Sequence, residues 1–176
     1  MFKRKVESQI NDYINNYDGK IMIISGARQV GKSYIIRQVC NEKYKNFIEI
    51  NLADDYEGDR LFERVKNIED FYLIVSLVSK SQLGSFEDTM IFLDEIQIYP
   101  RLISMLKSLS IDNKYHYIAS GSLLGVTLKH VFVPTGYIQE VKMYPMDFEE
   151  FLWANQVDEE VINYLRDKFV NFGPIN

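Results

Sequence analysis

The chain has 176 residues, a formal net charge of −5 and 47% hydrophobic residues, which suits one domain with a sizeable core and excludes a disordered chain. The acidic balance excludes a surface built as a whole for nucleic acid, and the single cysteine excludes an intrachain disulfide. Its apolar runs are too short to cross a bilayer and no apolar segment follows the charged start, so the expectation is a cytoplasmic protein with no membrane partner.

In chain order, Lys3-Arg4-Lys5 reads as a solvated helix start. It opens an amphipathic helix with Val6, Ile10, Tyr13, Ile14 and Tyr17 on one side, ended by Asp18-Gly19. The apolar run 20–25 reads as a short buried strand. Gly26-Ala27-Arg28-Gln29-Val30-Gly31-Lys32-Ser33 follows, and a helical stretch over 34–40 puts Ile35, Ile36, Val39 and Cys40 on one face. A small buried hydrophobe is the expected role of Cys40. Residues 47–52 form a second strand, and the segment from 54 to 81 reads as two helices split around Asn67. Gly84-Ser85 and Asp88-Thr89 mark a turn before a third strand over 90–93. A helix over 102–109 then follows Pro100, which suits a first helical turn.

A fourth strand spans 115–119 and ends at Ser120-Gly121-Ser122. A fifth spans 137–143 and precedes Pro145 and a helix over 148–153. The aromatic residues of 137–153 read as a buried strand and helix rather than a base-stacking platform. Strands alternating with helices predict an α/β fold with a mostly parallel sheet covered on both faces. No repeat or linker divides the chain.

The octet 26–33 has the form G-x-x-x-x-G-K-S between a strand and a helix, the context of a phosphate-binding loop. At average residue frequencies chance supplies it in only about 0.6% of chains this long. Gly26 and Gly31 can take backbone angles closed to other residues, so that loop N–H groups turn inward around a phosphate. The following helix adds the positive end of its dipole. Lys32 can reach the β- and γ-phosphates, and Ser33 can ligate Mg²⁺. All eight residues, Ala27, Arg28, Gln29 and Val30 included, are expected to form the nucleotide-binding loop; the Arg28 and Gln29 side chains can touch phosphate, though facing solvent is the favoured reading.

Met90-Ile91-Phe92-Leu93-Asp94-Glu95 is an apolar strand that ends in two acids, which lie at the carboxyl edge of the sheet beside the loop. Asp94 can hold the metal there, and Glu95 can activate the attacking water. Ser120 can sense the γ-phosphate if its strand lies between the first and third, or can be a turn serine beside Gly121. His116 and His130 form no ligand set with any acid. Asn113-Lys114-Tyr115-His116 lacks the aspartate that reads guanine, and Asp94 opens no D-x-x-G. The expected ligands are therefore ATP or ADP with Mg²⁺.

Together the loop, Ile91-Phe92-Leu93-Asp94-Glu95-Ile96-Gln97, Ala119-Ser120-Gly121-Ser122 and the segment Tyr144-Pro145-Met146-Asp147-Phe148-Glu149-Glu150-Phe151-Leu152 resemble the AAA-type P-loop ATPases of bacteria and archaea whose loop reads G-x-R-Q/R-V-G-K-S/T. The resemblance runs from about position 4 to 153, and the last segment is the part particular to that group. It implies a three-layer fold with a five-stranded sheet in the order 5-1-4-3-2. It implies Lys32 and Ser33 for phosphate and Mg²⁺, Asp94 for metal, Glu95 for water activation and Ser120 as sensor.

Such proteins usually carry a further C-terminal domain. The expected division is thus an ATPase domain over 1–155 and a helical extension over 156–176 that starts another domain, with that domain or a separate protein as partner. Many members place an arginine before the fifth strand, where this chain has Tyr137. Arg37 and Arg101 are the alternatives. Two functions follow: Mg²⁺-dependent ATP hydrolysis, or a nucleotide-gated interaction module with negligible turnover.

Overall fold

A computed structural model describes residues 3–79, 83–122 and 135–171. His130 and residues 172–176 of the expected extension lie outside them. Five parallel strands form one sheet: β1 (Ile21–Gly26), β2 (Asn46–Asn51), β3 (Thr89–Asp94), β4 (His116–Gly121) and β5 (Ile138–Met143). Their order, β2-β3-β4-β1-β5, is the expected 5-1-4-3-2 read from the other edge. The central strands are apolar at almost every position because both faces are covered.

Helices α1 (Lys5–Asn15) and α2 (Lys32–Lys43) cover one face, where Val6, Ile10, Ile35 and Ile36 meet Met22, Ile24, Phe92 and Ile118. Helices α3 (Leu52–Glu57), α4 (Ile68–Ser79) and α5 (Pro100–Asp112) cover the other, where Phe71, Val75, Leu102 and Leu106 meet Ile21, Ile23, Ile91 and Tyr117. Two more helices, α6 (Phe148–Ala154) and α7 (Glu159–Val170), follow the sheet. Among the described residues no helix is long and apolar enough to cross a membrane.

Most boundaries fall within two residues of the sequence reading. The break at Asn67 is real, since its side chain accepts the Asp70 N–H at 2.8 Å just before α4. The first of the two expected helices is shorter than its pattern implies. Asn51 caps α3 through Ala53 N–H, and the Asp55 carboxylate then draws in the N–H groups of Leu61 and Phe62 at 2.9 and 3.1 Å. That recruits the chain into a 3-10 turn, Leu61–Arg64, in place of further helix. Tyr137 likewise closes a 3-10 turn rather than opening β5.

One reading is corrected. Arg4 is only 8% exposed, so the basic start is not wholly solvated.

Cys40 is buried as expected, and burial pushes its thiol up to about 12. His116 is buried inside β4 between Tyr17 and Phe86, with Tyr44 at its Nδ1 and, among the described residues, no partner at Nε2. Burial lowers its pKa below the ordinary value near 6.5. The folded state therefore binds this proton less readily than the unfolded chain, and stability present above about pH 6.5 is lost as pH falls below it. Denaturant midpoints should drop between pH 7.5 and 5.5, and His116→Gln should flatten that slope; an equal slope in the variant would contradict the assignment.

Candidate nucleotide-binding site

The register of the sheet assembles the site. Ser120 pairs with Ile24 of β1, and Asp94 lies one residue beyond the Leu93–Ala119 pair. The carboxyl ends of β1, β3 and β4 thus finish side by side at the start of α2. Between β1 and α2 the loop turns through two positive-φ residues, Gln29 at 63° and Gly31 at 95°, with Gly31 as the N-cap of α2. Such reversals let successive N–H groups converge on one side of a loop. Gly26 is enforced by a neighbour: a Cβ there would lie 2.2 Å from the Met143 carbonyl oxygen of β5. Ala27, Arg28 and Gln29 are exposed and Val30 is half-buried.

Lys32 is buried, and its Nζ donates to the carbonyls of Gly26 and Ala27 at 3.2 and 2.8 Å. Burial lowers its pKa, and the charges of Glu95 and Asp94 oppose that shift. Asp94 is 5% exposed. Its Oδ2 accepts Ser33 Oγ–H at 2.7 Å, and its Oδ1 accepts both Ser120 Oγ–H and the Glu95 N–H. Glu95 itself has φ of 57°, a conformation uncommon for a non-glycine residue and frequent at functional sites. Its Oε2 accepts from Gln97 Nε2 and from Ser122 Oγ, and Gln97 also reaches Ser122 Oγ at 3.2 Å.

The donor set fits a small hard cation. Among the described residues no group of three or more His, Cys, Asp or Glu could hold a metal on its own. The Ser33 hydroxyl and Asp94 carboxylate instead offer the sparse oxygen ligation that Mg²⁺ accepts when phosphates complete its shell.

A family model described as an AAA domain matches residues 18–152. The chain belongs to the AAA domain family. It is 27% identical to an uncharacterized protein of Haemophilus influenzae over 87% of this chain and 38% of the relative. It is 26% identical to an uncharacterized protein of Methanocaldococcus jannaschii over 88% of this chain and 35% of that relative. This AAA domain thus spans less than two fifths of the length of the curated relatives it matches. Family and fold together make it a nucleotide-binding, P-loop ATPase-like domain.

The structure brings Ser33, Asp94 and Ser120 into one network beside the loop and places Glu95 at its edge. It does not bring in the two alternative arginines. Arg37 makes a bidentate pair with Glu49 at 2.6 Å, and Arg101 reaches the Lys66 carbonyl at 3.4 Å. Tyr137 lies under Lys107, with Nζ 5.2 Å from the ring centroid.

Two groups of residues have roles that the sequence does not announce. Gln97 and Ser122 belong to motifs whose spacing names no role for them, and their hold on Glu95 emerges from the β3 and β4 ends meeting in space. Arg4 and Glu150 were missed because each reads locally as a surface charge. The D-x-x-E spacing of Asp147 and Glu150, a capping box, was the one available signal.

The reading of 137–153 as buried is also corrected. Tyr144, Phe148 and Phe151 are exposed, whereas Glu150 points inward. The capping box sets the phase of α6 so that its acid, not its aromatics, faces the domain.

Gly26→Ala should separate β1 from β5, because the clash is with backbone. The expected cost is roughly 1–3 kcal/mol in denaturant unfolding, together with weaker nucleotide binding. Unchanged stability would show that this contact is slack.

Proposed function

We propose that this domain binds Mg²⁺-ATP through residues 26–33 and hydrolyses it with Glu95 as general base. The observation that carries the reading is the Asp94 carboxylate, held on one oxygen by Ser33 and on the other by Ser120 at the end of the phosphate loop. Loop N–H groups and the start of α2 would cradle the β-phosphate. Lys32 would exchange its loop carbonyls for phosphate oxygens. Ser33 and Asp94 would hold Mg²⁺, which when bound neutralises charge developing on the phosphate oxygens. Glu95, oriented by Gln97 and Ser122, would take a proton from water as its oxygen attacks the γ-phosphorus and the bond to the β-γ bridging oxygen breaks, leaving ADP and phosphate. Ser120 would register whether a γ-phosphate is present.

A second reading, a nucleotide-gated interaction module with negligible turnover, draws support from Tyr137 and from the engagement of Arg37 and Arg101 elsewhere. An arginine at the transferred phosphoryl group can be worth about 10³-fold in rate. We further propose that residues 1–155 form the ATPase domain and 156–176 begin another. Exposed Val161, Phe169 and Val170 on α7, and the greater length of the relatives, support that division.

Displacement of a fluorescent ADP analogue and phosphate release test these assignments together. Lys32→Ala should weaken binding at least roughly tenfold, as loss of a charge-assisted contact implies. Glu95→Gln should keep ATP yet slow its cleavage about 10²-fold or more. Normal release by a folded Glu95→Gln variant would remove Glu95 as the base. Tight binding with negligible release by the wild type would favour the second reading.

A further inference from the structure

The phosphate loop has an underside, and one side chain from just before α1 fills it. When loop N–H groups converge on one side, loop carbonyls point to the other, and a carbonyl withdrawn from water there needs a donor. The carbonyl of Val30, immediately before the positive-φ turn at Gly31, finds its donor in Arg4 Nη1 at 2.8 Å. Arg4 Nη2 donates to the Tyr144 carbonyl at 2.7 Å, just beyond β5. A Cβ added to Gly31 would lie 3.8 Å from Arg4 Nη1, so the guanidinium stands directly beneath the turn.

Glu150 stands against that guanidinium as a buried counter-charge, although Arg4 Nε has no hydrogen-bond partner among the described residues. Its Oε1 lies 3.2 Å from Arg4 Nε and accepts the Lys5 N–H at 2.7 Å, while its Oε2 accepts the Asp147 N–H at 3.1 Å. Both side chains of the pair are more than nine-tenths buried. Donating from one planar fork to two separate carbonyls while lying against a carboxylate is a demand that arginine meets and lysine does not.

From this geometry we propose that Arg4 is a positioning residue for nucleotide binding. It holds the Val30 carbonyl away from the phosphate side, and Glu150 holds Arg4. The Tyr144–Leu152 segment thereby acquires a purpose at the site: it supplies the Tyr144 carbonyl and the Glu150 carboxylate on which the loop rests. The inference rests on the nucleotide-binding reading above, and it goes further in making affinity depend on a residue that touches no phosphate.

Stability alone would be a structural role, so the test separates the two. Displacement of the fluorescent ADP analogue is measured on wild type, Arg4→Lys, Arg4→Met, Glu150→Gln and Tyr13→Phe, at a temperature where each is folded by circular dichroism. Tyr13→Phe is the control, since its hydroxyl anchors α1 to the carbonyls of Lys20 and Tyr117 and does not touch the loop. The expected result is a tenfold or larger loss of affinity in Arg4→Met, a smaller loss in Arg4→Lys and Glu150→Gln, and wild-type affinity in Tyr13→Phe.

Wild-type affinity in folded Arg4→Met would overturn the proposal while leaving nucleotide binding intact. Equal losses in Arg4→Met and Tyr13→Phe would overturn it too, by reducing Arg4 to general stability. Absence of binding by the folded wild type would remove both readings.

If the Arg4 variants do not fold, hydrogen exchange on the wild type decides. Coupling between two sites is reciprocal, so bound ADP must slow exchange of the Lys5 and Asp147 amides that Glu150 accepts. Unchanged rates there would overturn the proposal.

Discussion

Burying the carboxylate of Asp94 is the constraint from which the site end of this sheet follows. An acid group withdrawn from water is tolerated only where donors replace the lost solvent. Here the donors arrive from three separate elements: Ser33 from the first turn of α2, Ser120 from β4, and the Glu95 N–H from the chain leaving β3. No single hairpin could supply them. The order β3-β4-β1 is what lets a serine on β4 and a serine just beyond β1 reach opposite oxygens of one carboxylate. Parallel strands then require covering helices, and the two apolar clusters, one on each face, follow from that requirement. The unusual backbone of Glu95 belongs to the same arrangement, because the chain must turn sharply to present its own N–H to the residue before it.

The parts of the molecule that were legible in the sequence are those whose cause is local. A run such as Ile21-Met22-Ile23-Ile24 before a glycine loop specifies strand, turn and helix through neighbours alone, and Asn67 caps α4 within three residues of itself. Burial of Cys40 followed from a helix face. The misreadings share a different physics. Arg4 and Glu150 look like surface charges because charged residues are rarely buried unless paired, and nothing in either neighbourhood names the partner. The short α3 has the same origin, since the Asp55 carboxylate that ends it also accepts the Tyr99 hydroxyl from a distant element. Tertiary contact overrides local pattern in each case.

Helix α6 shows how such an override inverts a helix. Its sequence offers aromatic residues at positions 148, 151 and 153 and acids at 149 and 150, a pattern that locally favours rings on the inside. The N-termini of α1 and α6 instead meet on the Glu150 carboxylate, where unpaired N–H groups and the positive ends of two helix dipoles make a negative charge favourable. Lys5 balances the surrounding acidity through Asp147 and Glu149, and Arg166 of α7 also pairs with Glu149. With the acid turned inward, Phe148 and Phe151 are carried to the surface. Phe148 borders an apolar groove between α6 and α7 of about 650 Å³, lined also by Leu152, Ile162, Leu165 and Phe169.

The placement of β1 has a consequence for the order in which the domain can be made. Its two sheet neighbours, β4 and β5, are the last strands of the sheet to leave the ribosome, and the contacts of Arg4 with Tyr144 and of Lys5 with Glu150 span 140 and 145 positions of sequence. Contacts of such long range form late, because the entropy of closing so large a loop must be overcome before they contribute. The octet 26–33 is synthesised more than 100 residues before Tyr144 and Glu150, which complete its floor. Phosphate capture is accordingly a property of the finished domain, and a nascent chain that stops short of α6 carries the motif without the pocket.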